Sequence, residues 1–248
     1  MDKVVGSARA AVADVGDGAS LAVGGFGLAG VPSVLIGAIL ARGSRELHVV
    51  SNNCGLDGQG LGELLAARRI GRVTASYVGN NREFARQYLA GELEVELIPQ
   101  GTLAERLRAG GSGIPALYTR AGVGTAVEEG GLPWRYHADG RVAVASPPRE
   151  VREFDGVPYV LERAMVTDFG LVHAARGDIY GNLVFSKAAR NFNPLVAMAG
   201  RVTIAQVEEL CELDPGEVHL PGVFVQRVVV TGPVDKPIER MTTRVDQG

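Results

Sequence analysis

The sequence predicts an α/β fold: an open, largely parallel sheet with flanking helices, plus antiparallel hairpins in the second half. Through the first hundred positions, apolar residues alternate between helical spacing and short extended runs, which is typical of strand-helix-strand units. Two Asp-Gly pairs, at 139–140 and 155–156, are each flanked by strand formers and predict hairpins. With 248 residues, 46% of them hydrophobic, we predict a single domain over residues 1–248.

The first half is predicted to alternate regularly between helix and strand. Apolar residues recur at helical spacing from Val4 to Val15, and a Gly-Asp-Gly turn at 16–18 then breaks the pattern. Pro32 suits the first position of a helix, and Gly43 suits its end. The predicted elements are helix 4–15, strand 20–23, helix 32–43, strand 46–50, helix 61–69, strand 72–77, helix 81–90 and strand 92–98.

After residue 110 the pattern changes to short strands joined by glycine-rich connections. Besides the two Asp-Gly hairpins, extended segments at 170–174 and 182–185 bracket the turn RGDIYG. Further strands are predicted at 201–204 and 223–230.

Composition excludes several classes of function. The net charge of −3 and pI near 5.9 indicate no basic surface for nucleic acid. No stretch approaches the roughly 18 apolar residues of a membrane span, and the N-terminus does not resemble a signal peptide. Cys54 and Cys211 form no disulfide framework, which favours the reducing cytoplasm. The four histidines show no metal-ligand spacing, so no metal site is expected.

The segment VGGFGLAGVP, at 23–32, contains G-x-G-x-x-G and so matches the pattern of a dinucleotide-binding turn. Such a unit needs an acidic residue at the end of the next strand, to hold the ribose hydroxyls. That strand instead ends in Ser51-Asn52-Asn53, and Glu46 falls at its start. A nicotinamide or flavin site is therefore disfavoured.

Four glycines, Gly24, Gly25, Gly27 and Gly30, surround Phe26 in this loop. A tight strand-to-helix crossing would explain one or two of them. Four within seven residues favour a backbone that a ligand approaches closely, with N–H groups available to an oxyanion or phosphate.

Two further loops are candidates, because ligands bind at the carboxyl ends of parallel strands. Asn52 and Asn53 could orient a carboxylate or amide, although an Asx-turn explains them equally well. Gln100 follows the cleanest strand, and the T-x-x-E pattern of Thr102 and Glu105 predicts a helix that begins just after it. Gln100 could point into the same crevice or be a plain turn residue.

Several segments together resemble the A subunits of family I coenzyme A transferases of the 3-oxoacid type. They are Asp17-Gly18 followed by LAVGGFGLAGVP, then SNNCG, IPQGTLAERLRAGGSGIPALYT, REFDGVPYVLERAMVTDFGLVHAARGDIYGNLVFSKAARNFNP and VHLPGVFVQRVV, and they cover about residues 2 to 230. The resemblance implies the open α/β sheet shared with ribose-5-phosphate isomerase.

The resemblance also implies a chemistry: coenzyme A passes from succinyl-CoA to a 3-oxoacid such as acetoacetate, through a glutamate that becomes a CoA thioester. In the family that glutamate lies in a Ser-Glu-Asn-Gly motif of the B half, and no such tetrapeptide occurs here. A partner B subunit is thus expected, in a heterodimer or α2β2 assembly, with CoA as a substrate moiety and no tightly bound cofactor.

On the same resemblance, Gln100 is the expected catalytic residue, orienting the acyl group or stabilising an oxyanion. The expected substrate-binding residues are Gly24, Gly25, Phe26, Gly27, Gly30, Asn52 and Asn53.

Two positions depart from the family pattern and leave the identity of the acid substrate open. Ser33 stands where relatives often have an acidic residue, and Ala175 where a tryptophan is common. The alternatives are a transferase for 3-oxoadipate or a short-chain fatty acid, or a non-catalytic CoA-ester-binding subunit. A sugar-phosphate isomerase would need its own carboxylate or histidine in the crevice, and the segments GGFGLAGVP, SNN and PQG offer none. For a covalent intermediate on this chain, Asp57 is the local carboxylate that could reach the crevice.

Overall fold

The computed structural model describes residues 1–236 and 238. The helices are Ala8–Ala11 (α1), Ser33–Arg42 (α2), Leu61–Ala66 (α3), Arg82–Leu89 (α4), Gln100–Gly111 (α5), Ala126–Glu129 (α6) and Asn193–Ala199 (α7). The strands are Ser20–Val23 (β1), Leu47–Val50 (β2), Ile70–Ala75 (β3), Glu94–Leu97 (β4), Ala116–Thr119 (β5), Pro133–Tyr136 (β6), Val142–Ala145 (β7), Val151–Phe154 (β8), Val157–Arg163 (β9), Thr167–Gly177 (β10), Leu183–Val184 (β11), Gly200–Leu210 (β12) and Arg227–Val230 (β13).

A parallel sheet organises the described residues, with strand order β13-β12-β10-β1-β2-β3-β4. The short strand β11 pairs antiparallel with β10. Strand β1 lies near the middle, where Leu21 is opposite both Phe169 and Val49. The predicted α/β class, with its largely parallel sheet, is confirmed.

Both faces of this sheet are buried, because successive residues of each strand point to opposite sides. Leu21 belongs to the core cluster packed with helices α1 to α4, whereas the adjacent Ala22 belongs to the cluster packed with α5 and α7. Leu171 and Val172 on β10 divide in the same way. Continuous apolar strands therefore alternate between two cores.

The second half adds two small antiparallel sheets, β5-β9-β8 and β6-β7, and the two predicted hairpins are confirmed. Asp155 and Gly156 have φ values of 51° and 73°, and this left-handed pair suits the turn between β8 and β9. That residues 1–248 form a single domain stays a prediction, because residues 237 and 239–248 lie outside the described part.

The first helix and the last strand are shorter than predicted, whereas the strand predicted at 201–204 is longer and spans Gly200–Leu210. The first helix is confined to Ala8–Ala11, because Val4 instead forms a parallel bridge with Val228 at the sheet edge. The last strand begins at Arg227 rather than 223, since Gly222–Phe224 form a 3₁₀ turn. In both cases a contact distant in sequence overrides the local pattern, since the N–H of Gly222 donates to Asn182 and its carbonyl accepts from Lys3.

The predicted capping box at the start of α5 is also wrong. The carbonyl of Pro99 accepts the first helical bond, from Leu103 N at 2.9 Å, so the helix begins at Gln100. Thr102 Oγ1 is buried with no hydrogen-bond partner among the described residues, and Glu105 pairs with Arg108 at 2.8 Å. Gln100 therefore lies in the first turn of α5 rather than ahead of it.

Candidate active site

Three loops meet at the carboxyl edge of the parallel sheet. Ser51 Oγ donates to the carbonyl of Val23 at 2.8 Å, which joins the loop after β2 to the loop after β1. Asn52 Nδ2 donates to Gln100 Oε1 at 3.2 Å, across the end of the intervening strand β3. The structure thus brings together the three loops that the sequence predicted to form one crevice.

The glycine loop, residues 24–30, has a conformation that requires glycine at several positions. Gly25 and Gly27 have φ values of 120° and 62°. Phe26 and Ala29 exchange two backbone hydrogen bonds of 3.0 Å, which closes a tight turn between them. Within residues 1–236 and 238, the N–H groups of Gly25, Gly27 and Leu28 donate to no acceptor. They are therefore candidate donors to an oxyanion.

Three of the four glycines have a packing reason instead, and at Gly25 it is Val31, whose Cγ2 would lie 2.6 Å from a Cβ. A Cβ on Gly24 would lie 2.0 Å from Oδ1 of Asn193, and one on Gly30 would lie 2.5 Å from the carbonyl of Ala189. The close approach at Gly24 and Gly30 therefore comes from the protein itself. Of the intervening residues, Gly25 is buried, whereas Gly27 and Leu28 line a cavity.

A cavity of about 160 Å³ opens beside this part of the loop. Its lining residues are Gly27, Leu28, Asn53, Gly55, Leu56, Tyr77, Gly79, Asn80 and Ile238. Phe26, in the same loop, is 46% exposed and is not among these lining residues. On the other side of Leu28 a second cavity, of about 470 Å³, is lined by Ser33, His173 and Lys236 among others. Ala175, on β10, lines neither cavity. A larger hollow of about 670 Å³ lies by the C-terminal end of α2, away from these loops.

Asn52 and Asn53 have different roles. Asn52 is 2% exposed; its amide donates to Ser76 Oγ and to Gln100, and its Oδ1 accepts from Asn53. Asn53 Oδ1 accepts from the N–H of Gly55 at 2.8 Å, which is the Asx-turn that the sequence left open. Asn53 therefore shapes the loop and lines the cavity, whereas Asn52 orients Gln100.

Gln100 is exposed at the crevice, on the first turn of α5. Its Oε1 is occupied by the donor from Asn52, and its Nε2 has no acceptor among the described residues. The bond to Asn52 thus leaves the amide N–H groups of Gln100 as donors for a ligand.

None of the described carboxylate, histidine or cysteine side chains near the glycine loop lines the 160 Å³ cavity, whereas Glu63, His173 and Asp235 line the second cavity. Cys54 is fully buried, which raises its pKa to about 12 and keeps its thiol protonated. Asp57 accepts from the N–H of Glu83 at 3.1 Å, so it serves the start of α4. His173 Nε2 contacts Glu208 Oε1 at 2.8 Å, and Glu208 also contacts Lys236, beside the second cavity. No carboxylate is among the residues that line the 160 Å³ cavity.

A buried ionic cluster joins β4 to α5, the helix that begins with Gln100. Glu96 Oε1 accepts from Arg106 at 2.9 Å, and its Oε2 accepts from Arg72 at 3.1 Å. Glu162, which is fully buried, accepts from Arg149 at 2.7 Å. Because Glu96 is on β4 and Arg106 is on α5, the cluster ties the helix that carries Gln100 to the sheet.

Asn191 and Asn193 contact the glycine loop, and the sequence assigned no role to them. Asn191 Nδ2 donates to the carbonyl of Ala29 at 3.1 Å, and Asn193 Nδ2 to the carbonyl of Gly30 at 3.0 Å. The one feature of the sequence that could have pointed to these asparagines is the segment RNFNP, in which they flank a phenylalanine just before a helix.

Among the described residues, no cluster of His, Cys, Asp or Glu side chains could hold a metal ion. Likewise, none of the described helices combines the length and the apolar character needed to cross a bilayer.

Comparison with known proteins identifies the family. The profile described as coenzyme A transferase matches residues 5–231. A Mycobacterium tuberculosis (strain ATCC 25618 / H37Rv) protein, named as the A subunit of a probable succinyl-CoA:3-ketoacid coenzyme A transferase, is 65% identical over 98% of this chain and 100% of its own. The human protein named succinyl-CoA:3-ketoacid coenzyme A transferase 2, mitochondrial, is 52% identical over 93% of this chain. The matched region covers 45% of the human protein.

A solved structure shows the same fold. The acyl-CoA transferase YdiF of Escherichia coli O157:H7, crystallised as a thioester complex with CoA, superposes with a TM-score of 0.76 at 23% identity. The match covers 95% of this chain and 50% of the YdiF chain. With its sheet, its crevice loops and a profile match over most of its length, this chain belongs to the coenzyme A transferase family.

Proposed function

We propose that this chain is the A half of a two-subunit transferase that moves CoA from succinyl-CoA to a 3-oxoacid, with acetoacetate as the acceptor. The observation that carries the proposal is the crevice itself. It contains oriented neutral donors, from Gln100 and the glycine loop, but its 160 Å³ cavity is lined by no carboxylate that could act as the nucleophile. The identity of 65% with a protein named as an A subunit supports a companion B subunit that completes the site.

In the proposed reaction the thioester carbonyl of succinyl-CoA is attacked by a glutamate carboxylate of the B subunit. The C–S bond breaks, an acyl-glutamyl anhydride forms, and CoA leaves as a thiolate. The thiolate then attacks the glutamyl carbonyl, which releases succinate and leaves a glutamyl-CoA thioester. The 3-oxoacid carboxylate repeats the two steps in reverse order and departs as its CoA ester.

Each addition places negative charge on a carbonyl oxygen. The Nε2 group of Gln100 and the N–H groups of the glycine loop are suited to stabilise that charge, because neutral, fixed donors require no proton transfer. We also propose that CoA enters as a substrate moiety without a resident cofactor. The two free cysteines support a cytoplasmic location.

The test is co-expression with a companion chain that carries a Ser-Glu-Asn-Gly motif, followed by CoA exchange between succinyl-CoA and acetoacetate, 3-oxoadipate or a short-chain fatty acid. We expect fastest exchange with acetoacetate, and co-elution of the two chains as a heterodimer or α2β2 assembly. Borohydride trapping with mass spectrometry should leave this chain's mass unchanged and modify one glutamate of the B subunit. An adduct on Asp57, or exchange by this chain alone, would contradict the proposal.

We predict that Gln100→Ala lowers kcat of the assembled enzyme by about 10- to 1,000-fold, with a smaller change in KM for succinyl-CoA, because the lost donor acts on an oxyanion. Steady-state kinetics of the purified pair measures both. Since Asn52 orients Gln100, Asn52→Ala should lower kcat alone but add little to Gln100→Ala. If Gln100→Ala leaves turnover unchanged, Gln100 has no catalytic role and is only a structural residue of the first turn of α5.

A further inference from the structure

A single side chain, Asn193, contacts both ends of the glycine loop. It begins α7 and is fully buried. Its Nδ2 donates to the carbonyls of Gly30, at 3.0 Å, and Ala189, at 2.8 Å. Its Oδ1 accepts from the N–H of His173 at 3.0 Å. The side chain therefore satisfies three buried backbone groups, one of which belongs to the loop.

The same amide sets the position of Gly24. The hydrogen that Gly24 carries in place of a Cβ faces Oδ1 of Asn193, which lies 2.0 Å from where a Cβ would stand. At the other end of the loop, Nδ2 of Asn193 lies 2.9 Å from the equivalent position on Gly30. Both ends of the loop thus rest against one fixed group.

Asn191 extends this contact to the turn inside the loop. Its Nδ2 donates to the carbonyl of Ala29, which also accepts the N–H of Phe26 that closes the turn. The two asparagines of RNFNP consequently hold consecutive carbonyls, those of Ala29 and Gly30. Between the held ends lie the N–H groups of Gly25, Gly27 and Leu28 that face no acceptor among the described residues.

We propose that Asn193 is a positioning residue for CoA transfer, which acts by holding the glycine loop in the geometry that presents these N–H groups to the reacting carbonyl. This inference rests on the proposed function. An amide is required because the position needs a donor and an acceptor at once. In Asn193→Asp, a carboxylate oxygen would face the carbonyls of Gly30 and Ala189, and the repulsion would displace the glycine loop.

The principal test is Asn193→Asp in the assembled enzyme, with active sites counted by borohydride-trapped glutamyl-CoA. We expect kcat per active site to fall about 10- to 100-fold, because a displacement of about 1 Å has effects of this size on positioned groups. The KM values for succinyl-CoA and acetoacetate should change much less, since the loop acts on the transition state. Asn191→Ala, which removes a more peripheral donor, should lower kcat by a smaller factor and still fold.

Asn182→Asp is the matched control. Asn182 also bridges backbone and side-chain groups, accepting from Gly222 N and donating to Asp178, but it stabilises the turn after β10. We expect it to lower the unfolding midpoint and to leave kcat per active site unchanged. If Asn193→Asp and Asn191→Ala behave as Asn182→Asp does, while the wild-type pair exchanges CoA, the inference is wrong. If the wild-type pair shows no exchange, the proposed function fails instead.

Discussion

Gly25→Val is expected to lower the turnover of the assembled enzyme by more than about 1,000-fold, since it displaces the loop and removes its oxyanion donors together. Gly25 has a φ of 120°, a backbone conformation that a β-branched residue rarely adopts. A Cβ there would lie 2.6 Å from Cγ2 of Val31 and 3.3 Å from the carbonyl of Ala29. Steady-state CoA exchange by the purified pair measures the effect, which should exceed that of Gln100→Ala.

Gly18→Val is the control that distinguishes the effect of backbone strain from the effect of disrupting the candidate site. Gly18 also has a positive φ, of 73°, but a Cβ there would meet no atom within 4 Å, and it precedes β1 at the opposite edge of the sheet. We expect this variant to cost about 1–3 kcal/mol of stability and to retain its turnover. Equal activity of the Gly18→Val and Gly25→Val enzymes would show that the loop takes no part in catalysis.

Arg106→Met is expected to reduce the free energy of unfolding by about 3–5 kcal/mol, because it removes one of the two arginines that the buried carboxylates Glu96 and Glu162 share. Burial opposes the ionisation of Glu96, but Arg106 and Arg72 outweigh it and hold its pKa below the usual range. Burial raises the pKa of Glu162, against the opposing charges of Arg149 and Arg106. Urea unfolding of the purified pair, or of this chain where it is stable alone, measures the loss.

Arg108→Met, on the same helix, is the control for this change. Arg108 pairs with Glu105 at 2.8 Å, but both side chains are more than two-fifths exposed, so the pair should contribute less than about 1 kcal/mol. If Arg106→Met costs no more than Arg108→Met, the Glu96–Arg106 pair is not what holds α5 to the sheet.

The candidate site was largely accessible to sequence reasoning because parallel strands share an orientation. Once β1, β2 and β4 were predicted, their following loops had to lie at one edge of the sheet. Asn52 and Gln100, 48 positions apart, therefore belonged to one crevice before any contact was known, and their hydrogen bond confirms it. The need for glycine at Gly25 was also visible, since glycines cluster where backbone conformations are unusual.

Other residues of the site could not be found in this way. Glu96 sits in an alternating strand where every second residue is a glutamate, and nothing local distinguishes it from Glu94. Its burial depends on α5 covering that face and supplying Arg106. In the same way, Asn193 acquires its role only when a segment more than 160 positions away packs behind the glycine loop.

The sequence by itself determined the local elements: the helix and strand alternation, the Asp-Gly hairpins and the glycine turn, since periodicity and turn chemistry depend on near neighbours. The tertiary structure alone decided the order of the strands and the start of α5. Strand β10 lies beside β1, where Asp168 accepts from Ser20 at 2.7 Å, although 148 positions separate them. Such strand pairings depend on which apolar faces can be buried together across the whole chain, so they cannot be predicted from a short window of sequence.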